Sequence, residues 1–324
     1  MNKLTLLFIL PFLMVGCNRS NSSSISSSSS EVISSSEVID YGKVTFDDIF
    51  LFSDGYDGVK IRPYFSDDKV EDLVEFTYTV ENEDVCELDE DNVLWFKGEG
   101  KSKVTVTSDF YEDDYFFVNC QKTMLPEFVF STAKDMTRYT LNNYPDGATL
   151  FVGDSFFQFW RDGTNGIEKF SKSFEGENVF NIGISASTTH DIRALYQNTV
   201  ALTNPKNIII NNGINNVDDD SENGLKCFRN IKDLVDDYLE YFPETNVYYL
   251  SITRCTGTFA NKWQDHSLSN KMMKDYCDKT DRLTYLDVMS LYGDDYASYL
   301  SDGLHPNQAG YDLFEQIIKE NVEF

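Results

Sequence analysis

The chain has 324 residues, and its 54 Asp and Glu against 27 Lys and Arg leave a formal charge of −27 at pH 7. So acidic a surface excludes a nucleic-acid partner, because a phosphate backbone needs a basic face, and it disfavours broad contact with anionic lipid headgroups. No His/Cys cluster has the spacing of a zinc site, so no metal is expected, and no other cofactor is called for.

The chain opens with Lys3, an apolar run Leu4–Val15 and the small Gly16 just before Cys17. This is the layout of a secretory signal, and the run is too short to span a bilayer. Leu13-Met14-Val15-Gly16-Cys17 resembles a bacterial lipobox. That resemblance implies that residues 1–17 are a lipoprotein signal region, cut after Gly16 so that a diacylated Cys17 becomes the new N-terminus and holds the protein on the outer face of a cell membrane. Residues 18–40 follow as a tether, with Ser20–Ser36 mostly serine around one Glu-Val-Ile piece and a second, Glu37-Val38-Ile39, just after it. Such a segment cannot bury enough apolar surface to order itself, and as a flexible coil it spans roughly 25 Å.

Residues 41–123 form a separate module. Val59–Arg62, Val74–Val80 and Lys103–Thr107 alternate apolar and polar residues between Asp/Gly/Asn turns, which predicts a small β-sandwich. The stretch Phe76–Val80, Val85–Leu88 and Gly98–Val106 resembles a bacterial Ig-like domain of the second type, and that likeness implies a spacer or adhesive module. A connector, 124–146, leads onward. With Cys17 taken by the lipobox, five cysteines remain. Cys86–Cys120 is a possible disulfide and Cys255–Cys277 a weaker one, and the odd count leaves at least one thiol unpaired.

From 147 to 324 the pattern changes. Ala148–Val152, Asn178–Ile182, Lys206–Ile210, Val247–Leu250 and Leu283–Leu286 are apolar, β-prone runs of the kind buried on both faces of a parallel sheet. Helical periodicity lies between them, at Ile192–Val200 and at Leu225–Leu239 before Pro243. The alternation predicts an α/β fold, a doubly wound five-stranded parallel sheet with its functional groups at the carboxyl ends of the strands.

Four short motifs fall on this frame: Gly153-Asp154-Ser155, Gly183, Gly213-Ile214-Asn215 and Asp302-Gly303-Leu304-His305. The first three follow predicted strands. Together they offer a nucleophile, oxyanion donors and an acid–base histidine with an acidic partner, the parts needed for acyl transfer. Their order resembles the SGNH, or GDSL-type, esterase and acylhydrolase superfamily over roughly Gly147–Phe324, and Thr188-Thr189-His190-Asp191 is most similar to the branch resembling platelet-activating-factor acetylhydrolase. Phe156 and Asn216 depart from the usual Leu and Asp of that pattern. The resemblance implies a flavodoxin-like hydrolase fold, with Ser155 as nucleophile, His305 as base and Asp302 as its partner. The oxyanion would be met by the N–H groups of Ser155 and Gly183 and the amide of Asn215.

Other polar residues have local readings. His190 and His266 read as structural or solvent-facing, and Asp191 as favourable in a first helical turn. Asp218-Asp219-Asp220 reads as a cap or a solvated face. Pro306 reads as the first residue of the last helix.

The 28 positions from Ser155 to Gly183 and the 32 from there to Asn215 leave little room for a lid over a long acyl chain. The longest loop, Thr253–Asp265, carries Phe259 and Trp263. With Phe156, Phe157 and Trp160 these aromatics are weak candidates for a substrate rim. A tethered enzyme with a small acyl pocket points to removal of acetyl groups from glycans or other small esters. A lysophospholipid substrate, transfer of acetyl to a glycan, and a non-catalytic adhesion protein remain alternatives. The oligomeric state is open.

Overall fold

The computed structural model describes residues 42–52, 58–66, 74–121, 147–194, 200, 203–216 and 223–324. Cys17, the serine-rich tether, the connector 124–146 and Asp218–Asp220 lie outside the described residues. The described residues from Lys43 onward belong to one compact unit.

Its first part is a β-sandwich of short strands. The strands are β1 (Val44–Thr45), β2 (Ile49–Phe52), β3 (Val59–Lys60), β4 (Tyr64–Phe65), β5 (Thr77–Val80), β6 (Cys86–Leu88), β7 (Val93–Phe96), β8 (Gly100–Thr107) and β9 (Asp114–Gln121). A four-stranded sheet, ordered β2-β9-β8-β5, faces a three-stranded sheet, β3-β7-β6, while β1 and β4 pair alone. On β8 and β9 buried and more exposed residues alternate, so Val104, Val106, Phe116 and Val118 point inward to meet Leu94, Val85 and Leu51. Period-two patterning of this sort is what a sheet with one solvated face requires.

Neither possible disulfide forms: Cys86, Cys120, Cys255 and Cys277 are free thiols, as is Cys227. Cys86 and Cys120 hydrogen-bond to each other from opposite sheets. Cys255 instead donates to the carbonyl of Thr258 at 2.8 Å, which removes the pairing with Cys277.

The second part carries the parallel sheet. Its strands are β10 (Thr149–Gly153), β11 (Val179–Asn181), β12 (Asn207–Asn211), β13 (Asn246–Leu250) and β14 (Leu283–Leu286), and all neighbours are parallel. They lie in the order β11-β10-β12-β13-β14. Every residue of β10 and β12 is buried, which is why these runs read as continuous apolar stretches. The chain leaves β10 toward β11 on one side and returns to β12 on the other. That reversal opens a crevice at the carboxyl ends of β10 and β12, where a doubly wound sheet binds its ligand. At that point Gly153 pairs with Asn211, and a Cβ on Gly153 would stand 2.1 Å from the Asn211 carbonyl oxygen.

The sandwich is fastened to the parallel-sheet part by buried charges. Arg62 reaches Asp237 at 2.7 Å, and Arg193 reaches the other oxygen of the same carboxylate at 2.7 Å. Tyr64 donates to Asp233 at 2.8 Å, and Phe50 packs on His190 with ring centres 5.8 Å apart. Burial pulls the Arg62 guanidinium down, but Asp237, Asp233 and Asp236 together hold it well above its ordinary value. Burial pushes Asp237 up, and Arg193 and Arg62 outweigh it and hold it below the usual range. A cavity of about 70 Å³ lies in this interface, and none of Ser155, Asp302 or His305 lines it.

Candidate active site

Ser155 is the first residue of the helix Ser155–Asp162, separated from the end of β10 by Asp154 alone. Asp154 caps this helix: its Oδ1 accepts the N–H of Phe156 at 3.0 Å. Such a cap satisfies a helix donor that has no carbonyl partner. Burial pushes the Asp154 carboxyl up to about 7, against the pull of the Phe156 N–H. Side chains three and four apart share a helix face, and the phase here decides the fate of each aromatic. Phe156, Phe157 and Trp160 turn inward and are buried, Trp160 completely, among Phe151, Phe170, Phe174 and Tyr311. Phe156 and Trp160 are therefore core residues, although the Phe156 ring centre also lies 5.4 Å from that of His305.

Phe159, one turn beyond Ser155, has the other fate. Its ring stacks on His305 at 4.2 Å with 28° between the planes. Sequence reasoning missed it, although its spacing of four from Ser155 is the signal that would have found it.

The loop that precedes the last helix, Gln308–Asn321, brings the histidine. His305 Nε2 lies 2.8 Å from Ser155 Oγ, and its Nδ1 lies 2.8 Å from Asp302 Oδ2. Asp302 Oδ1 accepts the backbone N–H groups of His305 at 2.8 Å and Leu304 at 3.0 Å, so the loop folds around its own carboxylate. Burial pushes this carboxyl up, but the N–H and ring of His305 and the N–H of Leu304 outweigh it and leave Asp302 below its ordinary value. It stays ionised at neutral pH. Gly303, at φ +83°, makes the tight turn that only glycine adopts without strain.

The segment Thr253–Asp265 braces this loop instead of rimming a pocket. Thr256 and Gly257 both donate backbone N–H groups to the Gly303 carbonyl at 2.8 Å. Phe259 is partly buried against the core and lies 6.4 Å from His266, and Trp263 opens the helix Trp263–Cys277 beside Arg254. Pro306 does not start the last helix. It bridges to Leu300, and Asn307 caps the helix Gln308–Asn321.

The oxyanion donors divide. The Gly183 N–H is taken by Asn181 Oδ1 at 2.9 Å, so it is not free for a substrate oxygen. Glycine is needed there for another reason: a Cβ would stand 2.5 Å from the Gln158 nitrogen, where the chain crosses the nucleophile's helix. The neighbouring turn is better placed. Ile184 donates its N–H to Gly153 at 2.8 Å, and the Ser187 carbonyl accepts from Asn215 Nδ2 at 3.0 Å and Asn212 Nδ2 at 3.1 Å. Between them Ala186 is exposed at φ +61°, and its N–H makes no hydrogen bond among the described residues. A non-glycine residue at positive φ carries strain that the surrounding structure must over-determine, and such residues gather at working sites. One N–H of the Asn215 amide is spent on Ser187 and the second remains.

His266 is buried, and burial lowers it to about 4 while it holds the backbone of Ile214, beside Asn215. Asp191 accepts the N–H and hydroxyl of Thr188, a capping role. Among the described residues no group of three or more His, Cys, Asp and Glu is arranged to hold a metal.

The GDSL-like Lipase/Acylhydrolase family model matches residues 151–313, half of the chain. Among solved structures, one described as a platelet activating factor from Streptococcus pneumonia is 16% identical with a TM-score of 0.51, covering 60% of this chain and 92% of its own. An acylhydrolase from Bacteroides fragilis is 20% identical with a TM-score of 0.49, covering 57% and 94%. A GDSL-like lipase from Bacteroides thetaiotaomicron is 19% identical with a TM-score of 0.49, covering 59% and 97%. At these identities the likeness concerns the fold. No curated protein matches the sequence.

Proposed function

The chain belongs to the GDSL-like Lipase/Acylhydrolase family and is an ester-bond hydrolase, and from that premise we propose that it is a cell-surface serine esterase that removes short acyl groups, acetyl above all, from carbohydrate or other small esters. The observation that carries the reading is the continuous line from Ser155 Oγ through the His305 ring to Asp302, with 2.8 Å at each step.

Ser155 Oγ attacks the ester carbonyl carbon as its proton passes to His305 Nε2. Asp302, ionised and held by its own loop, keeps Nδ1 protonated and stabilises the imidazolium that forms. The carbonyl oxygen becomes an oxyanion, met by the N–H of Ser155, the second N–H of Asn215 and the N–H of Ala186 in place of Gly183. Each such donor is worth about 2.7–4 kcal/mol in the transition state. Collapse breaks the C–O bond, and the leaving alcohol takes the proton from His305. Water then attacks the acyl-serine while His305 takes its proton, and the carboxylic acid departs as Ser155 is restored. Phe159, stacked on the imidazole, limits its rotation through this cycle.

A short acyl group is supported by the compact path between strands. The residues after Ser155 form helices against the sheet, and Phe156, Phe157 and Trp160 of the first of them fill the core, which among the described residues occupies the space beside the nucleophile that a long acyl chain would need. Attachment through Cys17 would hold the enzyme at the membrane's outer face. A fluorophosphonate probe should label the wild-type protein and not Ser155→Ala. Equal labelling of the two would overturn the assignment.

A further inference from the structure

Behind the nucleophile lies a small polar cavity of about 10 Å³, lined by Asp154, Phe156, Asn211, Asn212, Ile214, Ile252 and Thr253. Three of these residues each bury an oxygen that has no hydrogen-bond partner among the described residues: Asp154 Oδ2, Asn212 Oδ1 and Thr253 Oγ1. Their residues are only 1%, 2% and 2% exposed. A buried polar atom left unpaired costs about 1–3 kcal/mol, so three around one cavity need a common partner.

We propose that a single water molecule binds between Asp154, Asn212 and Thr253 and ties together the three segments that build the active site. The volume is about that of one water and no larger ligand. The donor pattern suits water as well. With Asp154 ionised, the water donates to Asp154 Oδ2 and Asn212 Oδ1 and accepts from the Thr253 hydroxyl. With Asp154 protonated, the carboxyl donates to the water, which donates in turn to Asn212 Oδ1 and Thr253 Oγ1. Both arrangements satisfy every atom, so the site tolerates the carboxyl that burial pushes up to about 7.

Each partner belongs to a different working segment. Asp154 caps the helix that presents Ser155. Asn212 donates to the Ser187 carbonyl at 3.1 Å and so backs the turn that carries Ala186. Thr253 begins the segment whose Thr256 and Gly257 N–H groups hold Gly303, between Asp302 and His305. The water would be a positioning element for all three, touching neither substrate nor the reacting atoms. Its consequence for rate rests on the proposed esterase function, whereas its presence does not.

A high-resolution crystal structure of the wild-type protein tests the presence directly. One well-ordered water within about 2.5–3.0 Å of all three oxygens is expected. A cavity without density, or a cation with shorter contacts and further ligands, would overturn the proposal. The density is read whether or not the protein cleaves esters, so its failure is separable from that of the esterase reading. Thr253→Val, which keeps the shape and removes the hydroxyl, should lower kcat about tenfold with KM little changed, and Thr253→Ser should recover most of the loss. Equal kcat for the valine and serine variants would remove the positioning role.

Discussion

Replacing Asp154 with asparagine should stabilise the protein, and by an amount that depends on pH. Asp154 is 1% exposed, and burial raises its carboxyl from the ordinary 3.8 to about 7. The unfolded chain loses this proton near the ordinary value. Between about pH 4 and 7 the native state therefore holds a proton that the unfolded state has released, and stability falls as pH rises through that window. Below it both states are protonated and nothing is lost. Above it both are ionised, and the full cost of burying the charge stands, about 4 kcal/mol for that displacement. Asparagine carries no charge, and its Oδ1 can still accept the Phe156 N–H that Asp154 accepts at 3.0 Å. Asp154→Asn should thus match the wild type near pH 4 and exceed it by up to about 4 kcal/mol at pH 8. Urea unfolding followed by tryptophan fluorescence at several pH values measures the difference. A gap that stays constant across that range would mean that the carboxyl titrates normally in the folded protein, and the reasoning would fail.

Asn215→Ala should lower kcat by roughly 10²–10³ with a smaller change in KM, because the donor acts on the transition state; steady-state kinetics with unchanged kcat would move the oxyanion site elsewhere. Arg62→Ala removes the cation that shares Asp237 with Arg193 and should cost about 3–5 kcal/mol by leaving buried carboxylates under-compensated; a denaturant midpoint equal to the wild type's would show that the sandwich is held by other contacts. On p-nitrophenyl esters kcat/KM should fall steeply beyond butyrate, since each methylene without a place to bury forgoes about 0.8 kcal/mol. Equal values for acetate and octanoate would favour a lipid substrate.

The parallel sheet was legible because burial on both faces leaves a mark on consecutive residues. Ile208-Ile209-Ile210 cannot be hidden by context. The histidine and its carboxylate were legible because Asp302 and His305 meet within one short loop, and Ser155 because Gly153-Asp154-Ser155 follows directly on an apolar, strand-like run. The donor from the second block was not. Gly183 draws attention as a glycine, yet its glycine serves close packing against the nucleophile's helix. The open N–H belongs to Ala186, whose positive φ leaves no trace in an alanine.

Aromatic residues on one helix illustrate the same division. Composition places Phe156, Phe159 and Trp160 near Ser155, but only the rotation of the helix on the sheet sends Trp160 into the core and Phe159 onto His305. The sandwich's alternating strands could be read, whereas its attachment could not: Arg62 and Asp237 are 175 positions apart and meet only after both parts have folded. By itself, then, the amino-acid sequence determined the elements, their order and the reactive groups that lie close along the chain, since period and local spacing are properties of neighbours. Which N–H groups stay free, which rings face the histidine and where buried charges find their partners depend on contacts between distant segments, and those only the tertiary structure decided.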